Sequence, residues 1–282
     1  MILKDFELRI GVNGARGFLG NALSKTLMLE GHEVVKFSRE RGNGFTDIED
    51  QTSLNSCDIF VHLGESAVIT ESNSIQNLGF DRAFEIVDFL TSSLGSRLIY
   101  ASSGAVYGSH SKRPHTVHDA TYAVNPYTSA KLRNESIVLA NKGRVVRLSN
   151  IFGPGMTKQS VIPKLAEQVQ AQQVIELRNN ATRDFLFVDE AVVAISKLVG
   201  RATPNLINIG SGIGRNIDEL TDTIAELLGR RGLIFKQSKS RSLLDCTILS
   251  IDDTKVFLDW RPSGNFADQI AWTIQPERRQ DD

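Results

Sequence analysis

An apolar run from Leu8 to Asn13 breaks into Gly14-Ala15-Arg16-Gly17-Phe18-Leu19-Gly20 and passes at once into a segment of helical period. A strand that turns into a helix through three glycines leaves few folds open. Glycine allows the tight turn and lets backbone approach a bound pyrophosphate, whose charge the free amides of the helix start stabilise. The spacing is GxxGxxG, not the GxGxxG of ordinary dinucleotide dehydrogenases, and a glycine-rich turn alone is often only a turn.

The rest of the chain repeats this alternation. Short apolar runs at Glu33–Phe37, Ile59–Leu63, Arg97–Ser102, Arg144–Leu148 and Leu206–Ile209 predict strands. Between them Leu19–Glu30, Ile75–Leu94, Pro126–Asn141 and Val188–Val199 space apolar residues three and four apart, as amphipathic helices do. Strands alternating with helices give an α/β fold, a Rossmann-like doubly wound parallel sheet. Arg39 to Cys57 is too short and polar for a full crossover helix, so at most a short strand near Phe45 is expected there. Beyond Gly153 the spacing of Pro and Gly loosens, which predicts a smaller α/β substrate domain interleaved with the last pieces of the sheet. The expected division assigns residues 1–153 and 184–212 to the dinucleotide domain, and 154–183 and 213–282 to the substrate domain.

Composition narrows the function class. Of 282 residues 23% are charged, the formal net charge is -1, and the charges are interspersed, so no nucleic-acid footprint is visible. No apolar run approaches the roughly 20 residues that span a bilayer, and the amino terminus is broken by charges. Cys57 and Cys246 are too few and too isolated for a disulfide framework or a zinc site, which points to the cytoplasm.

A nicotinamide cofactor with an unphosphorylated ribose usually meets an acidic side chain at the end of the second strand. Here that place holds Ser38 and Arg39, and Arg16 lies in the loop. Two arginines would clamp a 2′-phosphate, so NADP is expected, with NAD the alternative; the other reading of both arginines is solvated surface charge.

Ser102-Ser103-Gly104-Ala105-Val106-Tyr107-Gly108 ends the strand at Arg97–Ser102, and Tyr127-Thr128-Ser129-Ala130-Lys131 opens a helix. Asn125 suits the N-cap and Pro126 the first helical position, so Tyr127 and Lys131 share one helical face. A tyrosine must drop by about three pKa units, ~4 kcal/mol, to act as a base at neutral pH, and an ammonium one turn away favours its phenolate. Ser102 and Tyr107 are read as turn and packing residues.

With these motifs on the page the chain resembles the extended short-chain dehydrogenase/reductase family, the group of nucleotide-sugar epimerases, dehydratases and reductases. Further matches are Asp58-Ile59-Phe60-Val61-His62-Leu63-Gly64, Arg147-Leu148-Ser149-Asn150-Ile151-Phe152-Gly153-Pro154-Gly155, Arg183-Asp184-Phe185-Leu186-Phe187-Val188-Asp189, Asn208-Ile209-Gly210-Ser211-Gly212 and Leu258-Asp259-Trp260-Arg261-Pro262. The resemblance implies that Tyr127 is the general acid/base, that Lys131 binds the nicotinamide ribose, and that Ser103 holds the reacting sugar oxygen. It implies a cofactor site at Gly14, Arg16, Gly17, Phe18, Leu19, Gly20, Ser38, Arg39 and Leu63. It brings Asn77, Asn150, Arg183 and Arg241 to the substrate, a nucleotide-diphosphate sugar. A packing asparagine is the alternative for Asn77, and a solvated loop charge for Arg241; His62 is read as structural. A homodimer built on the helix bearing the Tyr-Lys pair is also implied.

The family's 4,6-dehydratases carry an Asp-Glu pair where this chain has Gly104 and Ala105. What remains is hydride transfer at one carbon. The first expectation is an NADP-dependent reductase of a nucleotide-linked 4-keto sugar, and the second a nucleotide-sugar 4-epimerase. A dinucleotide-binding regulatory or scaffold protein without chemistry is the reading from another class.

Overall fold

The computed structural model describes residues 7–38, 42–65, 78–177, 181–231, 235–238 and 245–277. Its central sheet has seven parallel strands: β1 (Arg9–Asn13), β2 (Glu33–Ser38), β3 (Thr46–Asp47), β4 (Ile59–His62), β5 (Leu98–Ser103), β6 (Arg144–Leu148) and β10 (Leu206–Ile209), ordered β10-β6-β5-β4-β1-β2-β3. The order reverses between β1 and β4, so the two halves wind in opposite directions and leave a crevice at their carboxyl ends, the place where such sheets take ligands.

Alternation along the strands feeds two cores. Ile10, Val12, Val61, Ile99 and Val146 face one side, against Leu23 and Leu27 of α1 (Phe18–Leu29) and Ala191, Ile195 and Leu198 of α6 (Val188–Val199). Phe37, Phe60, Leu98, Tyr100 and Val145 face the other, against Leu54 of α2 (Gln51–Asn55), Val87, Leu90 and Leu94 of α3 (Leu78–Leu94) and Val138 of α4 (Pro126–Ala140). Neighbouring residues such as Val145 and Val146 thus enter different layers, as a period of two requires. Burying a large aliphatic side chain contributes about 1.5–3 kcal/mol, so both layers are strongly held.

The polar stretch after β2 holds more order than its composition suggests. It forms β3 and the short helix α2, whose N-cap Asp50 accepts hydrogen bonds from the Thr52 and Ser53 amides at 3.1 and 3.3 Å. The expected strand near Phe45 begins one residue later, at Thr46.

A second sheet is built from β7 (Asn150–Phe152), β9 (Thr182–Phe187), β11 (Gly214–Asn216) and β13 (Cys246–Thr247), with β9 at its centre. Beneath it Phe152, Phe185 and Phe187 pack with Ile162, Leu165 and Val169 of α5 (Val161–Gln170), Leu220 and Ile224 of α7 (Ile217–Leu227), and Ile270 of α9 (Phe266–Ile274). β8 (Val174–Leu177) pairs only with β12 (Phe235–Ser238) among the described residues. β9 runs across the expected boundary at residue 184, and Leu186 enters the first core while its neighbours enter the third.

Asp184 ties the two sheets together. Its buried carboxylate accepts from the Ser211 amide (2.7 Å) and hydroxyl (2.6 Å), the Gly212 amide (3.1 Å) and the Leu249 amide (3.2 Å). Burial pushes its pKa up while these donors pull it down, and burial prevails. Among the described residues no helix is long and apolar enough to cross a membrane.

Candidate active site

The glycine loop folds as its sequence demands. Gly14 has φ +83°, and a Cβ there would stand 2.7 Å from the Leu63 carbonyl carbon and oxygen. At Gly20 a Cβ would stand 2.2 Å from the Gly14 oxygen, because the helix start folds back over the turn. The loop therefore brings backbone of β1 and of the segment after β4 together above the reversal of strand order. Gly17 caps α1 without a side-chain hydrogen bond, and Phe18 and Leu19 begin the helix half-buried. Such a bare, glycine-lined helix start fits a cofactor pyrophosphate. Gly14→Ala is expected to destabilise the fold by about 1–3 kcal/mol through overpacking at a left-handed position, which thermal unfolding would measure.

Ser38 ends β2, and its Cα partner on β3 is Asp47. A carboxylate-bearing residue is thus level with the end of β2 although β2 carries none there. The Arg16 guanidinium lies over the Phe45 ring, 4.3 Å from its centroid. Arg39, Asn77 and Arg241 lie outside the described residues.

Helix α4 begins with a complete capping box. The Asn125 side chain accepts from the Thr128 amide (2.9 Å), and the Thr128 hydroxyl accepts from the Asn125 amide (3.1 Å), with Pro126 in the first turn. This fixes the start of the helix that carries Tyr127 and Lys131, both buried, and that packs against β5. Ser103 ends that strand, and its Oγ accepts from the Ala105 amide at 3.2 Å. The hydroxyl hydrogen is left to be donated elsewhere. A Cβ at Gly104 would lie 2.9 Å from Leu249 Cδ2, so Leu249 fills the space an acidic side chain would need.

Sequence reasoning missed the partner of Lys131. Its Nζ lies 2.7 Å from Glu65 Oε2 and donates to the Ala101 oxygen at 2.8 Å. Glu65 also accepts from the Tyr100 hydroxyl (3.1 and 3.0 Å to its two oxygens) and from Asn134 Nδ2 (2.9 Å). The ammonium holds Glu65 well below the usual carboxylate range against the opposing pull of burial, and the carboxylate holds Lys131 above the usual lysine range. His62 is buried and structural: its Nδ1 meets Asn13 Nδ2 at 2.9 Å and its ring stacks on Tyr100.

Ser102 and Tyr107 are packing residues within a buried network. Arg147 donates to Glu135 through Nε (3.1 Å) and Nη2 (2.7 Å), and to the Tyr107 hydroxyl through Nη1 (2.9 Å). The Tyr107 hydroxyl donates to Asn208 Oδ1 (2.8 Å), and Ser102 donates to Glu135. This joins α4 to β5, β6 and β10.

Asn150 and Arg183 lie on the paired strands β7 and β9, Arg183 two residues before Phe185, the partner of Asn150. Asn150 is exposed and its Nδ2 donates to the Asp184 oxygen at 3.0 Å. Arg183 is engaged by Asp245, whose Oδ1 lies 2.7 Å from Nη2 and whose backbone oxygen accepts from Nη1 at 3.1 Å. A diphosphate at Arg183 would have to share it with Asp245.

A family model described as the NAD dependent epimerase/dehydratase family matches residues 10–210. UDP-glucose 4-epimerase of Mycolicibacterium smegmatis is 24% identical over 310 residues, covering 95% of this chain and 98% of the relative. Among solved structures, UDP-glucose 4-epimerase of Thermotoga maritima with UDP-glucose superposes with a TM-score of 0.83 at 18% identity, covering 98% of this chain and 100% of that one. MoeE5 in complex with UDP-glucose and NAD superposes with a TM-score of 0.82 at 22% identity, covering 97% of this chain and 100% of that one. Both superpositions cover nearly the whole of the Rossmann-like α/β fold described above.

Proposed function

This chain belongs to the NAD-dependent epimerase/dehydratase family, and from that premise we propose that it is a 4-epimerase of a nucleotide-linked sugar, with NAD retained between turnovers. What supports this reading is the site around α4: Lys131 Nζ lies 5.9 Å from the Tyr127 ring centroid and donates to Ala101 on the strand that Ser103 ends, while Gly104 and Ala105 offer no acid for elimination and Leu249 fills the space beside Gly104. NAD is preferred to the NADP expected from Arg16 and Arg39, since the family relatives speak for NAD and Asp47 stands level with Ser38.

When bound, NAD supplies reversible hydride acceptance at the sugar carbon. Ser103 donates to the 4-oxygen and fixes it near Tyr127. Tyr127 accepts the hydroxyl proton as C4 is oxidised, and returns it after the keto sugar has presented its other face. Lys131 keeps one of its three N–H donors for a ribose hydroxyl, the other two being held by Glu65 and Ala101. Asn150 and Arg183 receive the nucleotide diphosphate. The dimer would pack α3 and α4 of each copy together.

The test is to incubate the purified protein with UDP-glucose or UDP-galactose and no added cofactor. Interconversion at C4 without net change in nicotinamide absorbance is expected. Stoichiometric NADPH consumption with a nucleotide-linked 4-keto sugar, and no interconversion, would restore the reductase in its place.

A further inference from the structure

Glu65 lies beyond the end of β4, and no spacing in the sequence links it to the Tyr-Lys pair. Its side chain is 12% exposed and that of Lys131 8% exposed, so the contact at 2.7 Å is shielded from water. Every oxygen of the carboxylate is used: Oε2 by Lys131 and Tyr100, Oε1 by Asn134 and Tyr100. Lys131 in turn lies 4.9 Å from the centroid of the Tyr100 ring and 5.9 Å from that of Tyr127. A lysine lowers a neighbouring phenol only by the positive charge it presents, and a carboxylate in contact with it offsets much of that charge. Among the described residues, the other ionisable groups facing the pair are His62 from β4, with Nε2 3.8 Å from Glu65, and Tyr100 from β5, whose own pKa burial pushes well up.

Building on the catalytic role assigned above to Tyr127, we infer that Glu65 is a positioning residue: it fixes the Lys131 ammonium against the Ala101 oxygen and offsets the charge that Lys131 presents to Tyr127. A tyrosine that must both take and return the proton in one cycle benefits from a pKa that is not held far below neutrality before binding.

Phenolate absorbance reports this without turnover. The protein, stripped of nucleotide, is titrated alongside Tyr127→Phe so that the difference isolates one of the four tyrosines. In Glu65→Gln the Tyr127 transition is expected about one unit lower than in the parent, and the acid limb of the kcat profile shifts with it. In the paired variant Glu65→Gln/Lys131→Met, which removes both charges and so burdens folding less, the transition should return to within about half a unit of the parent. A transition unmoved in Glu65→Gln, or raised by a full unit or more in the paired variant, would overturn the inference, since Lys131 would then act without Glu65. The titration reads the same whether or not UDP-hexoses are substrates, so loss of the epimerase reading leaves it intact.

Discussion

Replacing Tyr127 by Phe is expected to cut turnover by about 10²–10⁴-fold, the usual weight of a positioned acid/base, while leaving cofactor affinity unchanged. The ring is 7% exposed and held by the capped first turn of α4, so Phe fills the same space and Lys131 keeps its contacts with Glu65 and Ala101. Only the proton carrier is lost. Single-turnover kinetics beside an NAD titration separate the two effects, and turnover close to that of the parent would remove Tyr127 from the chemistry.

Glu135→Ala is expected to cost about 3–5 kcal/mol of stability, because it leaves the Arg147 guanidinium charged, buried and without its carboxylate. The pair is 4% and 6% exposed at its side chains, and the same guanidinium orders the Tyr107 hydroxyl. Equilibrium unfolding in urea measures the loss. Replacing both partners by apolar residues of similar volume, Glu135→Leu with Arg147→Met, should recover much of it, since no buried charge is then stranded. A single-variant loss below about 1 kcal/mol would mean that water reaches the pair.

The parts of this molecule that announce themselves in sequence are those set by near neighbours. The turn at Gly14, the cap at Asn125 and the one-turn spacing of Tyr127 and Lys131 need only a few consecutive residues, and the structure forms all three. The alternation of strand-like runs with helical segments likewise announced the parallel sheet. Glu65 was invisible because its contacts span the sheet: Asn134, which donates to it, is 69 residues away. The short strand near Phe45 was legible, but its register, which sets Asp47 level with Ser38 at the end of β2, was not. The same blindness hid the engagement of Arg183 by Asp245, 62 residues apart. Local chemistry was legible, and charge compensation across the fold was not.

The carboxylate of Asp184 has a consequence for synthesis. Its donors lie 27 residues downstream at Ser211 and 65 residues downstream at Leu249. A ribosome adding about 5–20 residues per second leaves that side chain in water for several seconds before its last partner emerges. During that interval β9 carries Leu186, Phe185 and Phe187 without the full set of hydrogen bonds that seats it. A nascent chain stalled between Ser211 and Leu249 should therefore be the species most readily captured by chaperones, and one stalled well past Leu249 should escape them.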